Sequence, residues 1–293
     1  MENTNLPWNI ITGSIPGTSH IARLINNQDA IKWYQDEKVL IAIVSDGCSA
    51  SNEKNTPHYN EIGSHIVANI CVKTIRSYIN HYGIQSLDWD TIWDRITSDI
   101  LSQMKQIIST IDDDFGMIAR TYFQTTVLGY IITPDTTIVF GCGDGVYGIN
   151  GDIHTITPPN SENYPPYLIY SLINSSVYEF NDPAIRLHEI TRLPTKEVET
   201  IFVGTDGVSE LLDAATKQIP GQETLVGSID QLWTNPLYQK NPFWLQTRLA
   251  LYNTAKIKRD ENQNMKTFPG LLSDDTSLIL SVRKHDEKEI EQP

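Results

Sequence analysis

The segment "LIAIVSDGCSA" (40–50) places a carboxylate directly behind an uninterrupted apolar run. The five apolar residues Leu40–Val44 predict a strand that is buried on both faces, and this strand runs into Asp46. The same form returns in "IFVGTDGVSE" (201–210), where a second apolar run ends at Asp206. The recurrence predicts two interior strands that each carry an acidic side chain to the edge of the core.

The composition is that of an ordinary globular protein, and it excludes several classes of function. In the 293 residues, 36 acidic against 22 basic side chains give a net charge of −14. Nucleic acids and anionic membranes are bound largely through Lys and Arg, so we expect neither as a partner. No apolar run reaches the roughly 20 residues of a membrane span, and the N-terminus lacks a secretory signal. Three scattered cysteines fit neither a disulfide framework nor a zinc site. We therefore expect a cytoplasmic monomer.

Two consecutive helices are predicted by apolar residues that recur at three- and four-residue spacing. The first covers residues 61–79, and the second covers residues 88–111 with Asp88 as its N-cap. Because the connection between them is short, we expect the two helices to lie antiparallel.

The pattern then changes to that of short strands. Residues 125–157 hold four β-rich runs separated by turn sequences, which predicts a meander of antiparallel hairpins. A buried strand with a helix behind it follows, then a helix over residues 242–259 and a closing strand over residues 274–284. This order predicts one α+β domain of packed layers, residues 1–284, and a charged C-terminal tail, residues 285–293.

Acidic residues stand at the edges of four predicted strands, and a fifth lies in a turn of the meander. They are Asp29, Asp46, Asp206, the pair Asp274–Asp275, and Asp144. Any single Asp-Gly is usually a turn, because Asp caps backbone amides and Gly accepts a positive φ. Carboxylates gathered at one point, however, repel each other by about 4 kcal/mol per pair at about 4 Å. If these residues converge, a bound cation must compensate for their charge.

The ligand chemistry favours Mg²⁺ or Mn²⁺. The candidate ligands are all oxygens, and the seven histidines are dispersed without a zinc-binding pair. A Ca²⁺ site would use a contiguous loop of alternating ligands, which the sequence lacks. Gly47 fits such a site, since a glycine lets its backbone carbonyl approach a metal closely.

The ordered set of motifs resembles the metal-dependent protein phosphatase 2C family of Ser/Thr phosphatases, in particular its bacterial-type branch. The matching segments are "GTSHIARLINNQDA" (17–30), "VSDGCSAS" (44–51) with "EIGS" (61–64), "TTVLGYII" (125–132), "GCGDGVYG" (141–148), "FVGTDGVSELL" (202–212) and "SDDTSLILSV" (273–282). Together they cover almost the whole chain in the family's order. The resemblance implies a four-layer α-β-β-α sandwich, in which two antiparallel sheets are flanked by antiparallel helix pairs.

The resemblance also implies a set of metal ligands. Asp46 looks like the carboxylate that bridges two metal ions, and the Gly47 carbonyl looks like a ligand of the second ion. Asp206 and Asp274 match the aspartates that complete the shell of the first ion, whereas Asp275 aligns less well.

Further residues match supporting positions of the family. Asp29 matches an acidic residue that acts mainly through water in the metal shell, which makes it, with Asp46, part of the implied catalytic set. Asp144 matches a position that in many members helps to hold a third, weaker ion. Glu210 stands where members often carry Asp for the same ion.

The phosphate-binding position departs from the family pattern. Members often carry an arginine five residues before the N-terminal Asp, and that position is Leu24 here. Arg23 and His20 lie nearby, and we favour Arg23 as the residue that binds the substrate phosphate. Residues 213–270 are long and idiosyncratic, which leaves open a mobile flap over the site.

The implied reaction is hydrolysis of phosphoserine and phosphothreonine monoesters by a metal-activated water, on a phosphoprotein that a Ser/Thr kinase has modified. Two ions, Mn²⁺ or Mg²⁺, would lie about 3.5–4 Å apart, with a third as an option. The chain has neither a Cys-x₅-Arg signature nor a G-x-S-x-G elbow, which agrees with catalysis without a covalent nucleophile. The glycine-rich residues 141–152 lack the G-K-[ST] ending of a nucleotide-binding loop.

Two other classes of function stay open from the sequence. One is a pseudophosphatase, catalytically weak or inactive, that uses the fold as a regulatory or binding module. The displaced arginine favours it, and the intact set Asp29, Asp46, Asp206 and Asp274 argues against it. The other is a metal-stabilised structural domain, which would bind cations without hydrolysis.

Overall fold

The apolar run behind Asp46 forms β3 (Leu40–Asp46) in the computed structural model of the chain. Ile41 and Ile43 pack against helices on one side of the sheet, while Leu40 and Val44 pack against a second sheet on the other side. Both faces of the strand are therefore buried, as its uninterrupted apolar sequence predicts. The structure describes residues 6–48, 59–83, 86–160, 164–259 and 263–284.

The strands form two five-stranded antiparallel sheets and one separate hairpin. They are β1 (Trp8–Ile15), β2 (Asp29–Gln35), β3, β4 (Val127–Ile132), β5 (Thr136–Cys142), β6 (Gly145–Ile149), β7 (Asp152–Ile156), β8 (His188–Pro194), β9 (Thr200–Gly204), β10 (Lys256–Arg259), β11 (Met265–Phe268) and β12 (Thr276–Arg283). The first sheet has the order β1-β12-β9-β6-β7, and the second has the order β2-β3-β4-β5-β8. The hairpin pairs β10 with β11.

The described residues form eight α-helices, most of which cover the outer faces of the two sheets. They are α1 (Thr18–Arg23), α2 (Asn60–Tyr82), α3 (Ile92–Ile111), α4 (Phe115–Tyr122), α5 (Gly207–Asp213), α6 (Gln231–Thr234), α7 (Pro236–Lys240) and α8 (Trp244–Asn253). α2 and α3 lie on the second sheet. The contacts between them run in opposite directions along the two helices. Gln103 Nε2 donates to Thr74 Oγ1 at 2.9 Å, and Tyr78 Oη donates to Asp99 at 2.7 Å. The pair is therefore antiparallel, as predicted.

Three apolar clusters define the layers. One lies between the second sheet and α2–α4, and another between the first sheet and the helices α5–α8. The third fills the space between the two sheets. Across that space Tyr130 Oη and Ser281 Oγ are 2.6 Å apart and share a hydrogen bond, which satisfies two buried hydroxyls. The fold is therefore the predicted α-β-β-α sandwich.

The predicted meander divides between the two sheets. β4 and β5 form a hairpin in the second sheet, whereas β6 and β7 form a hairpin in the first. The change of sheet falls at Asp144, between Gly143 (φ 124°) and Gly145 (φ 141°). These φ values suit glycine and are rare for other residues, so the turn sequence has a steric reason.

Two predicted helix boundaries are wrong. α3 begins at Ile92 with Thr91 in the N-cap position, one turn later than predicted, and Asp88 instead accepts a hydrogen bond from Thr91 Oγ1 at 2.8 Å. The helix predicted over residues 242–259 ends at Asn253, and its last four residues form the strand β10.

Among the described helices, none combines the length and apolar character needed to cross a bilayer. The predicted C-terminal tail, residues 285–293, lies outside the described residues.

Candidate metal centre

Asp29 and Asp46 face each other across the edge of the second sheet. They are direct partners in the antiparallel register of β2 and β3. Asp29 is only 2% exposed, and burial raises its pKa well above the usual range, with the charges of Asp275 and Asp206 adding to the effect. Burial likewise raises the pKa of Asp46, followed by repulsion from Asp29, Asp206 and other aspartates.

Asp206 approaches this pair from the other sheet, in the N-cap position of α5. Its carboxyl group lies close enough to that of Asp46 for the two to share a hydrogen bond, while burial raises the pKa of Asp206. Oδ1 of Asp206 is buried and meets no hydrogen-bond donor from the described residues. The Asp-Gly pairs that follow the apolar runs of β3 and β9 thus converge, one from each sheet.

Thr205 orients Asp29 from the neighbouring strand end. Its Oγ1 donates to Asp29 Oδ2 at 2.8 Å, and the same hydroxyl accepts the Ser277 amide at 3.1 Å. The other carboxylate oxygen of Asp29, Oδ1, is buried without a donor in the described parts of the chain. A buried carboxylate oxygen without a partner is costly, and a cation is one means of satisfying it.

Asp274 and Asp144 complete the acidic cluster. Burial raises the pKa of Asp144 to about 7, and repulsion from Asp206 and Asp274 contributes. The pKa of Asp274 is raised by partial burial and then by the charge of Asp206, although its Oδ1 accepts the Asp275 amide at 2.8 Å. All five predicted acidic positions therefore influence one another electrostatically.

Asp275 has a different environment from that of Asp274. It is 3% exposed, and its Oδ1 accepts the Gly17 amide at 2.7 Å while its Oδ2 accepts the Gln28 amide at 2.6 Å. Oδ1 also lies 2.8 Å from Nδ1 of the buried His20, and this contact raises the histidine pKa. Asp275 therefore fastens the segment before Asp29 to the start of β12.

His20, Asp274 and Asp275 also form a group whose potential ligand atoms lie within 4.8 Å of one another. Asp275 already accepts two amide hydrogens and contacts an imidazole, so its lone pairs are largely used. The unpartnered oxygens lie instead on Asp29 and Asp206. The described residues bring no three of Asp29, Asp46, Asp206 and Asp274 within this distance, and a cation site beside Asp46 and Asp206 stays a prediction.

Gly47 is enclosed by the start of α2. A Cβ at this position would lie 2.8 Å from the backbone carbon and oxygen of Asn60, and 2.9 Å from its Cβ. The structure therefore supplies a steric reason for this glycine that the sequence does not reveal. Its role as a carbonyl ligand stays a prediction.

Glu210 contacts the segment that carries Asp274. Its carboxylate accepts the Ser273 hydroxyl and, at 2.5 Å, the Ser273 amide. The Asp274 amide also donates to it at 3.3 Å. In this arrangement Glu210 caps the turn before β12, and its role in binding a third ion stays a prediction.

The candidate phosphate-binding residues differ sharply in burial. Arg23 is exposed, and its Nε donates to the Ser19 carbonyl at 3.1 Å within α1. His20 is 2% exposed and contacts Asp275. Leu24, which replaces the family arginine, is 94% exposed and holds a left-handed conformation with φ 57°.

The donor set fits a hard divalent cation. Asp29 and Asp46 are register partners, Asp206 approaches them from the other sheet, and Asp29 and Asp206 each have a buried carboxylate oxygen without a donor among the described residues. Burial is the main cause of the raised pKa values of these aspartates, and neighbouring carboxylates add to it. Oxygen-only sets of this kind suit Mg²⁺ and Mn²⁺.

Sequence reasoning does not reveal two supporting contacts, His20–Asp275 and Thr205–Asp29. The His20–Asp275 contact was not predicted, although the doubled aspartate of "SDDT" marks one member of the pair. The bond from Thr205 to Asp29 joins residues 176 positions apart, and no local pattern marks it.

The protein phosphatase 2C family model matches residues 16–250 of the chain. No curated protein sequence matches it. Among solved structures, a bacterial serine phosphatase aligns with TM-score 0.50 and 12% identity over 95% of this chain and 98% of that one. At this identity the likeness supports the fold alone.

Two other solved structures are similar over comparable lengths. The serine/threonine phosphatase Stp1 from Staphylococcus aureus has a TM-score of 0.47 and 12% identity, covering 94% of this chain and 95% of that one. The catalytic domain of the phosphatase PstP, in complex with 2 manganese ions, has a TM-score of 0.45 and 9% identity, with 95% and 99% coverage. The family match spans most of the chain, so the chain belongs to the protein phosphatase 2C family of serine/threonine phosphatases.

Proposed function

We propose that the chain hydrolyses phosphoserine and phosphothreonine monoesters of a phosphoprotein with the help of two Mn²⁺ or Mg²⁺ ions. The proposal rests on one observation above all. Asp29 and Asp46 are direct partners on β2 and β3, Asp206 approaches from the other sheet, and Asp29 and Asp206 each keep a buried carboxylate oxygen without a donor among the described residues, which a cation would satisfy.

In this proposal Asp46 would hold both ions, Asp206 and Asp274 would hold one of them, and the Gly47 carbonyl would hold the other. When bound, such ions neutralise phosphoryl oxygens and lower the pKa of water. The chain's own contribution is to hold the carboxylates in place. Thr205 keeps Asp29 oriented through its hydrogen bond, and burial shields Asp29 from bulk water.

Phosphate binding and a third ion belong to the same proposal. Arg23 is the last residue of α1, and its exposed side chain is accessible to an incoming anion. Asp144 and Glu210 are proposed for a third ion. For Glu210 this requires that it release the Ser273 amide.

The domain limits, the cellular location, the oligomeric state and the source of the substrate phosphate are also proposed. Residues 1–284 act as one catalytic domain, with residues 285–293 as a charged tail. The protein works as a cytoplasmic monomer on a substrate phosphorylated by a Ser/Thr kinase. The net charge of −14 disfavours nucleic acid and anionic membranes as partners.

Phosphate release tests the proposed activity. The protein is incubated with a phosphothreonine peptide, a phosphotyrosine peptide and p-nitrophenyl phosphate, with Mn²⁺ or with EDTA. We expect hydrolysis of the phosphothreonine peptide and of p-nitrophenyl phosphate with Mn²⁺, and none with EDTA. Turnover that persists in EDTA would contradict metal-dependent catalysis.

A non-catalytic binding module is the second candidate. It is supported by Leu24, whose exposed apolar side chain stands where the family often has its phosphate-binding arginine. A folded, Mn²⁺-binding protein that releases no phosphate from any of these substrates would favour this candidate.

A further inference from the structure

The hairpin β10–β11 presents a face of three lysines, here called the lysine face: Lys256, Lys258 and Lys266. Lys258 lies directly opposite Lys266 in the antiparallel register, and Lys256 is two residues along the same strand. Side chains at such positions share one face of a hairpin. Like charges directly opposite each other are unfavourable, so the pair is a place where an anion would be stabilising.

The lysine face is exposed and lacks an acidic counterpart in the described part of the chain. None of the three lysines forms an ion pair with a described carboxylate, including Glu223 in the neighbouring turn. Lys266 lies with its Nζ 5.0 Å from the Phe268 ring centroid. In a chain of net charge −14, such a cluster is unusual.

The hairpin packs against the turn that contains Gly221. A Cβ on Gly221 would lie 3.1 Å from Cβ of Lys256 and 3.2 Å from Cε of Lys258, so the two lysines pack directly over this glycine. Gly221 has φ 68°, a conformation that suits a residue without a side chain.

The base of the hairpin is tied to the rim of the acidic cluster. Asn253, just before β10, donates from Nδ2 to the Pro16 carbonyl at 2.8 Å and accepts the Leu272 amide at 3.0 Å. Pro16 precedes the loop that Asp275 holds, and Leu272 lies two residues before Asp274. The four-residue strands extend about 14 Å from this base at about 3.4 Å per residue.

The hairpin also lies beyond residues 16–250, the part of the chain that the family model matches. Its charge is therefore a property of this chain and not of the matched family segment.

We propose that the lysine face binds an acidic segment of the phosphoprotein substrate, several residues from the phosphorylated side chain. This inference rests on the proposed phosphatase function. A short acidic segment can contact the hairpin alone, whereas nucleic acid or a membrane surface would also meet the negative charge of the remaining chain. The occupant is therefore an acidic peptide.

The test compares two phosphothreonine peptides of equal length in the wild-type protein and in the K256Q/K258Q/K266Q variant. One peptide carries a run of Asp and Glu beginning about five residues from the phosphothreonine, and the other carries Ser and Gln there. We expect the variant to lose about tenfold in kcat/KM for the acidic peptide, mostly through KM. Its activity on the neutral peptide and on p-nitrophenyl phosphate should stay within twofold of wild type. Salt should weaken the wild-type preference.

The K73Q/K105Q/K196Q variant is the matched control, because it removes three exposed lysines outside the hairpin. An equal loss in this control, or an equal loss on both peptides in the hairpin variant, would overturn the proposal. Binding of RNA or anionic vesicles to the lysine face, without binding of the acidic peptide, would also overturn the proposal.

A binding measurement separates this proposal from the proposed activity. Fluorescence anisotropy of a labelled, unphosphorylated acidic peptide should show binding to the wild-type protein and about tenfold weaker binding to K256Q/K258Q/K266Q. If the wild-type protein hydrolyses nothing yet binds this peptide through the lysine face, the phosphatase proposal fails and the docking surface stands. If it hydrolyses p-nitrophenyl phosphate but both proteins bind the peptide equally, the docking proposal fails alone.

Discussion

Asp29 and Asp46 are register partners on β2 and β3, and Asp206 reaches the same place from the other sheet. Asp29 and Asp46 come from consecutive strands, whereas Asp206 is distant from both in the sequence. Burial raises the pKa of each, and repulsion from neighbouring carboxylates adds to the rise. The arrangement is unfavourable by itself, and this is the physical basis of the predictions that follow.

Replacing Asp46 or Asp206 with Asn should separate activity from stability. We expect Asp46→Asn and Asp206→Asn each to lower Mn²⁺-dependent turnover by at least about a hundredfold. Each should also raise the Tm of the metal-free protein by about 2 °C or more, because one repelling charge is removed. Phosphate release and thermal unfolding in EDTA measure the two effects.

Asp113→Asn is the control for these variants, since Asp113 is an exposed acidic residue between α3 and α4. It should change neither quantity. Near-full activity of Asp46→Asn or Asp206→Asn would contradict the proposed ligand roles.

The metal-free protein should become less stable as the pH rises. The pKa of Asp144 is about 7, whereas the unfolded value is near 3.8. The native state therefore binds more protons than the unfolded state between these values, so the free energy of unfolding falls as the pH rises through this window. Asp144 alone contributes up to about 1.4 kcal/mol per pH unit. Urea unfolding in EDTA at pH 5, 6, 7 and 8 measures the slope.

Asp144→Asn should make this slope shallower, which isolates the contribution of one carboxyl group. Mn²⁺ should reverse the trend, because it binds the deprotonated ligands and so stabilises more at pH 8 than at pH 6. A metal-free stability that rises from pH 5 to pH 7 would contradict the raised pKa values.

Removing the Asp275 carboxylate should destabilise the fold strongly. Asp275→Ala removes the carboxylate that accepts the Gly17 and Gln28 amides and contacts the buried His20. We expect a loss of about 3 kcal/mol in the free energy of unfolding. Chemical denaturation measures it.

Asp152→Ala offers a matched comparison. Asp152 contacts His154 at 3.1 Å, but this pair is on the surface, with side chains 80% and 47% exposed. The change should cost less than about 0.5 kcal/mol. Equal effects of the two substitutions would show that Asp275 does not fasten the loop before Asp29.

Thr205→Val should weaken metal binding without unfolding the protein. The substitution removes the hydroxyl that donates to Asp29 Oδ2 while keeping the branched shape of the side chain. We expect about a tenfold higher Mn²⁺ concentration for half-maximal activation. Thr254→Val, which removes an exposed hydroxyl at the end of α8, should leave the activation curve unchanged. An unchanged curve for Thr205→Val would argue against Asp29 as part of the metal environment.

The sequence predicts those parts of the fold that follow from local pattern. The apolar run Leu40–Val44 indicates a strand with two buried faces, and the periodic segments indicate α2 and most of α3. The recurrence of Asp-Gly after apolar strands indicates acidic side chains at the edge of the core, and the stacking of the two sheets brings them together.

Other features depend on contacts that local pattern does not contain. The sequence of residues 256–259 does not separate them from α8, and their pairing with β11 makes them a strand. The division of the meander depends on which sheet β6 joins, which is settled by its pairing with β9. The role of Asp275 depends on Gly17, 258 positions away.

Anomalous diffraction at the manganese edge, from crystals grown with Mn²⁺ and phosphate, tests the central claim most directly. The account predicts two manganese peaks about 3.5–4 Å apart, bounded by Asp46, Asp206 and Asp274. Peaks confined to His20 and Asp275, or no peak beside Asp46 in well-ordered crystals, would contradict it.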